Sequence, residues 1–216
     1  MHSSTLHLTP GQRRYATVAA LLGWFALAVQ LYLILWGRWT DQASLIGGLV
    51  KFLSFFTVLT NTLVATALTC AITDRHSSGH RFFRSPVVCA GITTSILLVG
   101  IAYNVLLRHL WSPEGWQKLA DELLHDVMPL AFLGYWWLYV NKGELRLKHV
   151  LMWMLYPTLY FGYLLFRGNM FGDYLYPFLD IGTLGTEPAL INAFGVLAGF
   201  VGIGLVIWLI DHARSD

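Results

Sequence analysis

Six long apolar runs constrain this chain more than any other feature. They cover residues 15–37, 51–72, 85–107, 119–140, 149–166 and 188–210. Each is about 18–23 residues long, enough to cross about 30 Å of hydrocarbon as a helix. The runs are unbroken rather than alternating, which argues against a transmembrane β-barrel. Composition agrees: 56% of residues are hydrophobic and 12% charged, with a mean hydropathy of +0.57. Soluble domains carry roughly 25% charged residues, so a soluble enzyme and a disordered regulator are both excluded. The expected fold is an all-α bundle of six transmembrane helices in a single domain, residues 1–216. A net charge of +2 gives no footprint for nucleic acid. Two cysteines, Cys70 and Cys89, are too few for a disulfide framework and read as reduced packing residues.

The first run follows Arg13 and Arg14 but exceeds the apolar core of a signal peptide, and no small-residue cleavage site follows. It reads as a retained anchor. Orientation follows the bias of Lys and Arg toward cytoplasmic loops. One side holds Arg13, Arg14, Arg75, Arg81, Arg84, Lys142, Arg146, Lys148 and Arg214. The other holds Arg38, Lys51, Arg108, Lys118 and Arg167. Nine against five places both termini in the cytoplasm of a multi-pass protein of the cell membrane. In the turn at residues 74–84, His76 and His80 stand four apart. Ser-Ser-Gly lies between them, which disfavours a helix and hence a metal site there.

Polar side chains within apolar runs are costly unless paired or facing a cavity, so each marks a candidate site. Ser54, Thr57 and Asn61 fall on one face if the second run is one helix. Ser54 then lies about 4–5 Å below Lys51, and Asn61 about 15 Å below it. His125, near the outer end of the fourth run, has a depth similar to Ser54. Pro129 follows four residues later and denies the His125 carbonyl its helical donor, which favours a kink. Asp121 and Glu122 lie one turn before His125. Gln30, Asn104, Asn192, Tyr160 and Tyr163 belong to the same outer level. The expectation is an outward-facing polar pocket with apolar walls, suited to an amphiphile.

Ser54 and His125 suit a nucleophile–base pair, in which neutral imidazole takes the serine proton as oxygen attacks an acyl carbon. Thr57, Asn61 and Asn104 are candidate pocket residues and oxyanion donors. Asp121, Glu122 and Asp180 compete for the orienting carboxylate. The scheme needs no metal and no cofactor. The chain lacks the G-x-S-x-G elbow, the HExxH signature and the Gly-x-Ser-Gly motif of rhomboid proteases. Paired histidines within runs, as a membrane cytochrome requires, are also missing.

Three short segments resemble the androgen-induced, steroid-reductase-associated family of six-span membrane proteins. They are Lys51-Phe52-Leu53-Ser54, His125 with Val127 and Pro129, and Tyr176-Pro177-Phe178-Leu179-Asp180. Vertebrate members hydrolyse fatty-acid esters of hydroxy fatty acids with a membrane-embedded threonine and a histidine. The resemblance implies a serine/threonine-type lipid ester hydrolase with its nucleophile at Ser54 and its histidine at His125. Tyr176 and Asp180 then join the substrate pocket. Thr57 stands one turn on and leaves the register of the nucleophile open. The alternatives are a non-catalytic lipid or amphiphile binding protein, a transporter, and an assembly partner of another membrane protein.

Overall fold

A computed structural model describes residues 9–73 and 77–214. Asp74, Arg75 and His76, used above for the basic turn and the histidine pair, lie outside the described residues. The described chain is helical, with no strand. Helix α1, Pro10–Thr40, opens on Thr9, whose side chain and that of Gln12 cap each other's backbone amides, with Pro10 at the first helical position. The 25-residue helix from Pro86 to Leu110 holds α5, Pro86–Ala102, then a π-turn at Tyr103–Leu107 and a 3-10 turn at Arg108–Leu110. The stretch Leu147–Phe171 comprises α8, Leu147–Trp153, and α9, Leu155–Phe171. Its local break follows from Pro157, which cannot donate to the Trp153 carbonyl. Helix α11 spans Thr186–Ala213. These four stretches are long and apolar enough to cross a membrane.

The second run departs from the continuous helix expected. It forms α2, Leu45–Leu53, and α3, Phe56–Ile72, bent by 71° at Ser54 and Phe55. Counted as one broken span, the pair makes a fifth candidate. The fourth run folds as α6, Gly115–Glu122, a π-turn at Leu123–Val127, and α7, Met128–Tyr139. It is not among the stretches apolar enough to span, because the polar residues that mark the site occupy its first half. Two short helices complete the chain: α4, Ser78–Phe83, and α10, Ile181–Leu184. A helix at α4 was not expected. Ser77 caps it, and both ring nitrogens of His80 are taken, by Thr73 and Ser77.

Helix α5 sits at the centre, with α3, α7 and α11 packed around it. Its face is built from small residues, which let neighbouring backbones approach. The hydroxyls of Thr93, Thr94 and Ser95 each return to a carbonyl one turn earlier, so they are buried without cost in unmet hydrogen bonds. Gly91 lies under the Trp153 indole, where a Cβ would collide. Outward, large apolar side chains are bare along the helices: Leu21, Leu130, Leu138, Leu151, Leu159 and Phe194 are each 60–68% exposed.

Contacts bring the start of α1, the end of α3, the 140–146 turn and the end of α11 to one end of the bundle. Arg13 donates to the Ile72 carbonyl, Tyr15 packs on Tyr139, and Arg214 lies over Trp137. Buried Asp211 accepts from the amides of Gly143 and Leu145. Cys70 and Cys89 are buried free thiols. The opposite end holds the polar cluster.

Candidate active site

The site grows out of two local departures from α-helix that face each other. The first is the π-turn at Leu123–Val127, where the Met128 amide reaches back five residues to the Leu123 carbonyl. In that register the Leu124 carbonyl should meet the amide of residue 129, which is proline and has none. Asn61 fills the gap: its Nδ2 donates to the Leu124 carbonyl at 3.1 Å and to the Thr57 carbonyl at 2.9 Å. One amide thereby ties α3 to the turn that carries His125. Gly100 completes the fit, since a Cβ there would stand 2.9 Å from the His125 carbonyl.

The second is the break between α2 and α3. Phe55 is extended (φ −80°, ψ 129°), and the amide of Phe56 has no helical acceptor. It donates instead to the phenol oxygens of Tyr160 and Tyr176, at 2.9 and 3.2 Å. Tyr160 in turn donates to the Ser54 carbonyl at 2.8 Å. The break therefore exchanges backbone hydrogen bonds for phenolic ones, which keeps it satisfied away from water. Its consequence is a fresh helix N-terminus at Phe56, with Thr57 in the first turn.

His125 lies between α3 and α6. Its Nδ1 faces two acceptors of Asp121, the backbone carbonyl at 2.9 Å and the carboxylate Oδ1 at 3.2 Å. Nδ1 therefore carries the proton, and Nε2 is left as an acceptor. The Thr57 hydroxyl stands 3.3 Å from Nε2. Tyr103, from the π-turn that ends α5, stacks on the imidazole with ring centroids 3.9 Å apart and donates to Asp121 Oδ2. Asp121 is 3% exposed, and both of its carboxylate oxygens are engaged.

Thr57, Tyr103, Leu107, His125 and Tyr176 are shared walls of two adjoining chambers. The wider, of about 280 Å³, adds Gln30, Gln117, Asp121, Phe55 and Trp111. The narrower, of about 40 Å³, is lined by Phe56, Leu98, Val99, Phe161, Phe178 and Val196. Tyr176 comes from the connection between α9 and α11. Its hydroxyl accepts from the Phe56 amide at 3.2 Å beside Thr57, and burial pushes its phenol above the ordinary value.

The residues singled out from sequence are placed as follows. Thr57, His125 and Tyr176 meet at the junction of the chambers. Ser54 does not join them: it is 1% exposed, lies outside both linings, and bonds the Val50 carbonyl at 2.7 Å and Tyr163 at 2.6 Å. The stripe of Ser54, Thr57 and Asn61 fails because the chain bends after Ser54. Asn61 and Asn104 are not free oxyanion donors. Asn61 holds two carbonyls, and Asn104 bonds the Gly100 carbonyl and Asp126, beside the ion pairs of Arg108 with Glu122 and Asp126. Asp180 caps α10 through the amides of Gly182 and Thr183, and Asn192 bonds the Phe178 carbonyl. Of the three candidate carboxylates, Asp121 is the one against His125. Tyr103 and Gln117 were not singled out. Tyr103 had a signal in being a tyrosine inside an apolar run beside Asn104, whereas Gln117 had none. Among the described residues no group of three or more His, Cys, Asp or Glu stands together to hold a metal ion.

No family model, curated protein or solved structure matches this chain.

Proposed function

We propose that the protein is an integral-membrane hydrolase of lipid esters with Thr57 as nucleophile, His125 as general base and Asp121 as the orienting carboxylate. One observation carries the reading: the line Asp121–His125–Thr57, with steps of 3.2 and 3.3 Å, at the junction of two largely apolar chambers. The Thr57 oxygen attacks the acyl carbon while its proton passes to Nε2. The buried Asp121 carboxylate stabilises the imidazolium, and Tyr103 holds that carboxylate in place. The tetrahedral oxyanion is met by the Tyr176 hydroxyl and by first-turn amides of α3, which have no intrahelical acceptor and sit at the positive end of the helix dipole. Collapse expels the alcohol, which takes the proton from Nε2. Water, deprotonated by the same histidine, then releases the fatty acid and regenerates Thr57.

The resemblance to the androgen-induced family supports an ester substrate and the histidine, but it implies a nucleophile at Ser54. The hydroxyl contacts favour Thr57 instead, one turn further on. The bare apolar side chains support a bilayer setting. In that setting the chain crosses six times with both termini cytoplasmic, counting α2–α3 and the 115–139 stretch as spans. Fluorophosphonate labelling of purified protein tests the nucleophile. The reading expects labelling of the wild type that is lost in Thr57→Ala and His125→Ala; undiminished labelling of Thr57→Ala would remove it.

A further inference from the structure

The two chambers that meet at Thr57 and His125 differ in chemistry, and the difference bears on which side of the ester each one takes. The narrow chamber presents hydrocarbon. It adjoins a groove between α5 and α11 through the shared residues Leu98, Ala102, Phe178 and Val196, and Gly195 and Gly199 put no side chain into that groove. A long chain therefore meets apolar walls both in the chamber and in the groove that adjoins it on the flank of the bundle. The wide chamber is polar on one wall. Gln117 Nε2 donates to Gln30 Oε1 at 2.9 Å, which leaves the Gln30 NH₂ as donor and the Gln117 carbonyl as acceptor. Hydroxyl groups both donate and accept, so they match this pair. Among the described residues no lysine or arginine lines the chamber; Arg108 lies over the Tyr103 ring but is paired with Glu122 and Asp126, and the chamber's carboxylate, Asp121, is already engaged. A carboxylate on the ligand would enter beside Asp121 with no unpaired cation on the chamber wall to compensate it.

Building on the hydrolase reading, we propose that the acyl chain occupies the narrow chamber and the alcohol portion the Gln30–Gln117 chamber, so that the substrates are long-chain esters of small neutral polyols. Esters whose alcohol carries a carboxylate next to the ester bond are poor substrates.

The test uses the purified full-length protein with three palmitoyl esters, those of glycerol, ethanol and glycolic acid. The glycerol ester is expected to exceed the glycolate ester in kcat/KM by about tenfold or more, a modest ratio for a site built to hydrogen-bond hydroxyls. Gln117→Leu should lower the ratio of glycerol to ethyl ester turnover, chiefly through KM. Gln117→Lys, which adds a cation, should move preference toward the glycolate ester. Equal or better hydrolysis of the glycolate ester by the wild type would overturn the proposal while leaving the hydrolase reading intact. An unchanged glycerol-to-ethyl ratio in Gln117→Leu would do the same. Hydrolysis of none of the three would overturn both.

Discussion

The proposed chemistry rests on a few atoms whose roles follow from who donates to whom. His125 is placed to act as a base because Asp121 offers both acceptors that face the Nδ1 proton and leaves Nε2 toward Thr57. His125→Ala is expected to lower ester hydrolysis by about 10²–10⁴-fold, the usual scale for a positioned general base. Asp121→Asn should also be slow, because an amide can present its NH₂ to Nδ1 and favour the wrong tautomer. Tyr103→Phe keeps the stacked ring but removes the bond to Asp121. It should therefore reduce kcat more than KM.

At the scale of elements, two irregular turns do the positioning, and they differ in how far the sequence disclosed them. The π-turn at His125 was legible in part: Pro129 announces a missing donor, and the kink was expected there. That Asn61 supplies the replacement was not legible, because the partner lies on another helix. The break at Ser54–Phe55 left no mark, since Phe-Leu-Ser-Phe-Phe-Thr contains neither glycine nor proline. It exists because Tyr160 and Tyr176, more than a hundred residues away, take over the backbone groups. Periodicity therefore put Ser54 on the Thr57 face, and tertiary hydrogen bonds moved it off. Tyr160→Phe is expected to destabilise the protein by about 1–3 kcal/mol, the cost of leaving a buried carbonyl unmet. Gly100→Ala would press a methyl group on the His125 carbonyl, with an overpacking cost of about 1–3 kcal/mol and a loss of activity as His125 shifts. Thermal unfolding in detergent measures both, and wild-type stability in either variant would contradict the packing described.

Across the whole molecule, the two ends of the bundle are built for different work. One end carries the chambers; the other is a structural clasp of Lys142 and Asp211. Lys142 donates to the carbonyls of Trp136 and Val140 at the close of α7 and lies 4.4 Å from the Trp136 ring. Burial pushes its pKa down to about 8, against the opposing pull of Asp211. The unfolded chain keeps that proton to higher pH, so between about pH 8 and the ordinary lysine value the unfolded state binds more protons and stability rises with pH. Below that window the penalty is complete and the slope vanishes. Lys142→Met should flatten the rise, as read from unfolding midpoints across alkaline pH, without changing the chambers at the far end. The two ends thus separate experimentally, and the proposed catalysis belongs to the end that carries the chambers. The most direct measurement is hydrolysis of a long-chain ester by purified wild type, Thr57→Ala and Ser54→Ala side by side. Activity is expected to fall by about 10³-fold or more in Thr57→Ala and to remain substantial in Ser54→Ala. Full activity in Thr57→Ala, with loss confined to Ser54→Ala, would contradict it.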